Sequence, residues 1–102
     1  MSIKKSFLKT KPVCKVTFRL TANESRYAET VKLLGEFNGW DESVSPMKKL
    51  KSGDFTQTLN LTVGKDYQFK YLCNSEKWEN DWNADAYAPS PIPGADNSVV
   101  SI

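Results

Sequence analysis

Alternating apolar and polar residues run through three stretches of the chain. In residues 13–20, 55–63 and 67–73 almost every second side chain is apolar. A period of two predicts strands that have one face in a core and the other in solvent. The side chains that share the predicted inner faces are Cys14, Val16, Phe18, Leu20, Phe55, Gln57, Leu59, Leu61, Val63, Tyr67, Phe69, Tyr71 and Cys73. Gln68 and Lys70 are then expected on an outer face.

Shorter runs predict further strands at residues 30–37, 47–50 and 97–102. Residues 21–29 are interpreted as a polar connection, with one helical turn as the alternative. Residues 79–94 are rich in Asn, Asp, Ala and Pro, and we expect an irregular segment that Trp82 and Tyr87 hold against the sheet. Six or seven short strands without a dependable helix favour an all-β fold, an antiparallel two-sheet sandwich of the immunoglobulin type.

An Asn-Gly pair follows the predicted strand over 30–37 and leaves a tryptophan just beyond it. Asn38 and Gly39 are expected to supply the positive φ angles of a tight reversal. The ring of Trp40 then either closes the end of a core or faces a ligand. This stretch alone favours the core plug, because buried tryptophan is common and an exposed one needs a reason.

Length and charge fit one ordinary domain. The chain has 102 residues and a formal net charge of +2, an excess too small to indicate nucleic-acid binding. Residues 1–12 are a basic lead-in, predicted to be mobile or to pair at a sheet edge, and residues 13–102 are predicted as the domain. Without a secretory signal or a run of membrane-spanning length, a cytoplasmic protein with no membrane contact is expected.

The residue types restrict the available chemistry. There is no histidine, and Cys14 and Cys73 lie far apart within strand patterns. A His-assisted nucleophile and a zinc site are therefore excluded, and the cysteines are predicted as buried thiols. The acidic residues of 76–96 are interpreted as a solvated loop, although glycosidases use paired carboxylates as acid and base. A calcium site at residues 80–85 is disfavoured, because this run lacks the EF-hand pattern. No catalytic residue, metal or cofactor is predicted.

Aromatic residues outside the predicted strands are more informative: Trp40, Trp78, Trp82 and Tyr87. A sugar ring presents an apolar C–H face and a rim of hydroxyls, so flat aromatic side chains beside Asn, Gln or Lys suit a sugar site. Residues of suitable type are Trp40, Trp78, Lys70, Gln68 and Asn97. The alternative is that the tryptophans fill the two open ends of the sandwich.

Four motifs occur in order: Gly-Glu-Phe-Asn-Gly-Trp at 35–40, Tyr-Gln-Phe-Lys-Tyr at 67–71, Trp-Glu-Asn-Asp at 78–81, and Gly-Ala-Asp-Asn-Ser-Val-Val at 94–100. Together they resemble carbohydrate-binding module family 48, the isoamylase N-terminal or early set domain. They are similar also to the glycogen-binding domain of the AMP-activated protein kinase β subunit. The resemblance spans about residues 13–102 and implies an immunoglobulin-like (early set) sandwich that binds α-1,4-linked glucans such as glycogen and starch.

The resemblance also implies roles for single residues. Trp40 and Trp78 match stacking tryptophans, Lys70 matches a sugar-contacting lysine, and Asn97 matches a hydrogen-bonding asparagine. Trp82 stands where relatives often have proline, and is either a third platform or a structural pin.

Two positions depart from the kinase-type pattern. Pro93 and Ala95 replace a leucine that reaches through the sugar ring and a nearby threonine, which affects affinity or pose. Three functions therefore remain open. The chain is a non-catalytic α-glucan-binding module, a regulatory or scaffolding subunit that recruits a glycoside hydrolase, branching enzyme or kinase-type partner to glycogen, or a module kept for its fold.

Overall fold

Two antiparallel sheets face each other in the computed structural model, which describes residues 3–90 and 96–102. The strands are β1 Ile3–Phe7, β2 Val13–Leu20, β3 Val31–Gly35, β4 Lys48–Lys49, β5 Phe55–Thr62, β6 Asp66–Cys73, β7 Lys77–Glu79, β8 Ala86–Pro89 and β9 Asp96–Ser101. The first sheet has the order β1-β2-β5-β4 and the second the order β3-β6-β9-β8, with β7 also paired to β6. The predicted all-β sandwich is confirmed.

The alternating residues assigned to the inner faces, except Gln57, belong to the core cluster or pack against it; the core also contains Ile3, Ala28, Val31, Leu33, Met47 and Val100. Phe18 of β2 and Phe69 and Tyr71 of β6 are fully buried. The ring centroids of Phe18 and Phe69 lie 5.1 Å apart in an edge-on arrangement, and those of Phe69 and Tyr71 lie 5.7 Å apart. Cys14 and Cys73 are buried free thiols, as predicted. These contacts fix the second sheet against the first and leave the alternate residues of β6 on the outside.

The strand expected over 30–37 ends early. β3 stops at Gly35, and a 3-10 turn, Glu36–Asn38, follows it. Only glycine fits at position 35, because a Cβ there would lie 2.6 Å from the Gln68 carbonyl oxygen and 2.8 Å from the Phe69 Cβ. The turn directs Phe37 inward, where its ring lies 5.8 Å from that of Phe18. Phe37 therefore closes this end of the core.

Two short strands lie where none was predicted: β8 falls within the segment 79–94 that was expected to be irregular, and β7 ends at the first residue of that segment. Trp78 lies in β7 and Tyr87 in β8, whereas both were expected to lie in loops. Pro89 ends β8, an edge strand, where a missing N–H costs no ladder bond. Pro93 and Ala95, the two departures from the kinase-type pattern, lie outside the described residues.

Residues 3–7 and the polar connection over 21–29 form more regular hydrogen-bonded structure than a mobile lead-in and an irregular loop would. Residues 3–7 pair with β2 at the sheet edge, and the Lys5 ammonium lies 2.7 Å from the Asp85 carboxylate. In the polar connection, Thr21 N–H donates to Glu24 Oε1 while Glu24 N–H donates to Thr21 Oγ1. That reciprocal pair makes a hydrogen-bonded turn and no α-helix follows.

Candidate functional site

The outer face of the second sheet brings several of the predicted site residues onto one surface. The strand register pairs Leu34 with Lys70, Leu72 with Trp78, and Gln68 with Val99. Because side chains alternate along a strand and the intervening residues of β6 face the core, all six point away from the core. The Lys70 position therefore has β3 on one side and β7 and β9 on the other.

Three apolar residues of this face are buried without belonging to the core between the sheets. Leu34 is 0%, Leu72 3% and Val99 7% exposed, yet the inter-sheet cluster does not include them. We call these three residues the outer floor. Their cover comes from neighbours on the same face, among which Trp78 lies directly across from Leu72. An apolar floor below exposed polar groups is the arrangement that a sugar ring requires.

Trp78 and Lys70 are predicted ligand-binding residues that are accessible on this face. Trp78 is 42% exposed, and β7 holds it in the strand ladder. Lys70 is partly exposed, and its side chain forms no hydrogen bond or ion pair within residues 3–90 and 96–102. An ammonium without a partner has three N–H donors available for ligand hydroxyls.

Gln68 and Asn97 are linked to each other. The Asn97 Nδ2 group donates to Gln68 Oε1 over 3.0 Å, and Asn97 comes two residues before Val99, the partner of Gln68 in the β6–β9 register. The Gln68 backbone N–H also donates to Glu36 Oε1 over 2.6 Å. Asn97 is only 8% exposed, so a ligand can reach this amide only at the edge of the face. The pair is oriented before any ligand arrives.

The turn that carries Trp40 is built around Asn38. The Asn38 Oδ1 accepts from Gly35 N–H over 3.0 Å, and its Nδ2 donates to the Leu33 carbonyl over 2.9 Å. The Asn38 side chain therefore bonds to the backbone at the end of β3, as a further strand residue would. The positive φ angles fall on Gly39 (64°) and Trp40 (58°). The expectation that Asn38 and Gly39 supply them was therefore wrong by one residue, because Asn38 belongs to the 3-10 turn.

Trp40 follows the turn at the end of β3. Its N–H donates to the Gly35 carbonyl over 3.0 Å. Lys32, an outer-face residue of β3, donates from Nζ to the Glu42 carbonyl over 2.6 Å, so the residues after the turn run along that face. Trp40 is partly exposed, and among the described residues it is not one of those packed against the core. The sequence around Trp40 favoured this residue as the plug at the end of the core, but Phe37 occupies that position instead.

Asp81, and not Trp82, anchors the segment after β7. Trp82 is 54% exposed, so its ring is no buried pin. The Asp81 side chain is fully buried, with Oδ2 accepting from the Tyr71 hydroxyl over 2.9 Å and Oδ1 from Asn83 N–H over 2.8 Å. Asp81 N–H donates to Ser98 Oγ over 2.9 Å. The expectation of a solvated acidic loop was wrong here, because these donors replace the water that a carboxylate needs.

The comparison with known protein families decides the relationship. The family model Carbohydrate-binding module 48 (Isoamylase N-terminal domain) matches residues 10–88, which is more than half of the chain. The chain belongs to carbohydrate-binding module family 48. Modules of this family are immunoglobulin-like, non-catalytic accessory domains found in glycogen-branching and debranching enzymes.

One curated relative gives a more specific similarity. The module is 33% identical over 61 residues to the 1,4-alpha-glucan branching enzyme GlgB of Butyrivibrio fibrisolvens. The match covers 60% of this chain and 10% of that enzyme. The matched 61 residues therefore correspond to about a tenth of the enzyme's length.

Glu79, Asp85 and Tyr71 are ionisable groups that are held in structural contacts. Glu79 pairs with Arg26 at 3.1 Å. Partial burial raises the pKa of Asp85, but hydrogen bonds from Lys5 and Ser101 outweigh it and leave that pKa below its usual value. Burial, and then the neighbouring Asp81 carboxylate, raises the pKa of Tyr71 well above the usual value. The Tyr71 phenol therefore remains a donor to Asp81.

Two further properties of the described ranges bear on the site. Within them, no group of three or more His, Cys, Asp or Glu side chains is arranged to hold a metal ion. Over the same residues, no helix is long and apolar enough to cross a membrane.

Proposed function

We propose that this module binds an α-1,4-linked glucan on the outer face of the second sheet. Trp40 and Trp78 are the stacking platforms, and Lys70, Gln68 and Asn97 donate to or accept from hydroxyls. The observation that supports this most directly is the strand register: Lys70 lies across from Leu34 of the outer floor, and Gln68, on the same face of β6, bonds to Asn97.

The chemistry of the ligand fits these groups. A glucose ring is uncharged, so Lys70 acts as a hydrogen-bond donor and not as one half of an ion pair. The C–H face of the ring replaces water over the tryptophan surfaces and removes apolar area from solvent. The amide pair keeps unused donors and acceptors after its own internal bond, and these can bind vicinal hydroxyls.

The proposal includes the absence of glucan hydrolysis by the chain itself. Glycosidases require one carboxyl group with a raised pKa and a second that remains ionised, both facing the scissile bond. Here Asp81 is buried against Tyr71 and Asn83, while Glu79 and Asp85 lie against cations. Those contacts support a structural role for the three carboxylates.

A second candidate function adds a protein partner to the same sugar face. The curated relative is a branching enzyme in which the matched region is a tenth of the length. We infer that this module recruits a glycan-active enzyme to the polymer in the same way. A cytoplasmic location belongs to the proposal, since the two buried free thiols suit a reducing compartment.

A titration tests the sugar proposal directly. Tryptophan emission of the purified chain should change and saturate on addition of maltoheptaose, because Trp78 is 42% exposed and loses water when a ring stacks on it. Cellohexaose, which has β-1,4 linkages and a flatter chain, is the matched control and should produce little change. An equal response to both sugars, or none to either, would contradict the proposed specificity.

A further inference from the structure

Trp82 and Tyr87 are exposed aromatic side chains that are not part of the proposed sugar face and lie close together in sequence. Trp82 is 54% exposed and Tyr87 is 47% exposed. Tyr87 pairs with Ser98, which pairs in turn with the core residue Phe69. Tyr87 therefore has the inward parity, opposite to that of Asn97, and stays accessible because β8 is the last strand of its sheet. The Tyr87 side chain is therefore exposed at the side of the sandwich.

The Tyr87 ring and the backbone around Trp82 are fixed by the same short segment. The Tyr87 hydroxyl donates to the Asp81 carbonyl and accepts from Ala84 N–H over 3.4 Å. Asn83 N–H donates to the buried Asp81 carboxylate over 2.8 Å, which holds the turn around Trp82. A buried carboxylate network thus presents Trp82 to solvent from a rigid base. A ring that is held in place before binding loses little freedom when a ligand stacks on it.

We propose that Trp82 and Tyr87 form a second α-glucan contact, which we call the lateral pair. This inference rests on the proposed function, since its ligand is the same polymer. The exposed Asn83 lies between the rings in sequence and supplies amide groups for hydroxyls. The Lys5–Asp85 ion pair, 2.7 Å long, lies beside this segment. Charged groups are depleted from the cores of protein interfaces, so this surface fits a hydrated sugar better than an apolar protein.

The two contacts serve different parts of the polymer. Tyr87 has the parity opposite to that of the outer-face residues, so an oligosaccharide lying on the outer face does not cover its ring. A branched polymer supplies several chains near one module. Once one chain is held, binding of the second becomes intramolecular and is favoured by a high effective concentration.

Calorimetry and affinity electrophoresis test this inference. The wild-type chain should bind about two maltoheptaose molecules and Trp82→Ala about one, because one aromatic platform has been removed. In gels that contain glycogen, Trp82→Ala should bind on the order of tenfold more weakly, and Trp82→Phe should recover part of the loss. Tyr27→Ala is the matched control, because Tyr27 is 75% exposed on another loop. It should behave as the wild type.

The outcomes separate this inference from the proposed function. A wild-type stoichiometry of one with unchanged glycogen retention by Trp82→Ala overturns the lateral pair and leaves the outer face standing. If Trp82→Ala loses glucan binding while Trp40→Ala and Trp78→Ala retain it, the result overturns the outer face as the glucan site and supports the lateral pair. No binding by the wild type overturns both. Thermal melting of each variant checks folding, and an exposed side chain should change it little.

Discussion

The two sheets of the sandwich have very different outer faces. On the first sheet, Thr17 and Thr58 lie opposite each other with their hydroxyls 3.0 Å apart, and Lys15 faces Asn60. The outward positions of β2 and β5 in the described chain hold no aromatic residue. On the second sheet, the corresponding positions carry the outer floor, a 42% exposed tryptophan and a lysine.

This difference distinguishes a solvated face from a binding face. Small hydroxyls and charges are sufficient to keep an antiparallel sheet soluble on one side. The outer floor buries apolar surface where the fold does not require it, and Trp78 extends that surface toward solvent. Such a combination is expected where a ligand completes the burial. The first sheet therefore supplies natural control positions for every substitution on the second.

Loss of the buried anchor should produce the largest effect. Asp81→Ala leaves the Tyr71 hydroxyl and Asn83 N–H without their acceptor in a buried site, and should lower the free energy of unfolding by about 3 kcal/mol. Urea unfolding measures this. Asp66→Ala, at an exposed position of the same sheet, should change stability by less than about 0.5 kcal/mol. Equal losses in both variants would show that Asp81 is no anchor.

Removal of the β7 platform should mainly affect binding. Trp78→Ala should weaken maltoheptaose binding by about 1 to 3 kcal/mol, a scale taken from aromatic stacking on nucleobases. Thr58→Ala, on the outer face of the first sheet, should leave affinity unchanged. Both affinities can be obtained by calorimetry. A similar weakening by the two substitutions would mean that the two outer faces do not differ in function.

The lysine on each face provides a smaller contrast. Lys70→Ala removes one hydrogen-bond donor that has no partner in the described part of the chain, and should cost about 1 kcal/mol of binding free energy. Lys15→Ala removes the same charge from the opposite face. If both substitutions weaken binding equally, long-range charge and not a hydroxyl contact explains the effect.

The smallest effect concerns the core side of β6. Burial, with Glu79 as the next cause, raises the pKa of Cys73 from its usual 9.0 to about 11. Because the folded value exceeds the unfolded one, the stability contribution is complete below about pH 9 and is lost as pH rises toward about 11. Cys73→Ala should therefore lose less stability than the wild type over that interval, as urea midpoints measure. If the wild type and Cys73→Ala lose stability equally over that interval, ionisation of Cys73 does not contribute to the pH dependence.

The alternation of residues predicts which side chains face outward but not which ones meet. The outward positions of Gln68 and Lys70 followed from the period of two. Their neighbours could not be predicted in this way, because Trp78 and Asn97 reach the same face only through the pairing of β7 and β9 with β6. Strand pairing depends on contacts between residues far apart in sequence.

Two other features depend on tertiary structure. An aspartate in a polar segment is usually exposed, so the burial of Asp81 had no signal in its own stretch. A signal existed elsewhere, since Tyr71 lies among apolar inward residues and a buried hydroxyl needs a partner. The exchange of roles between Phe37 and Trp40 followed from the early end of β3 at Gly35, which close packing against Phe69 imposes.

The most direct test of the account compares Trp40→Ala with Phe37→Ala. Maltoheptaose affinity and thermal stability are measured on both proteins. Trp40→Ala should lose about 1 to 3 kcal/mol of binding free energy with a small change in melting temperature. Phe37→Ala should lose about 3 kcal/mol of stability as a core truncation does. If Trp40→Ala instead retains its affinity and melts like a core variant, Trp40 is a plug and the outer face is not the glucan site.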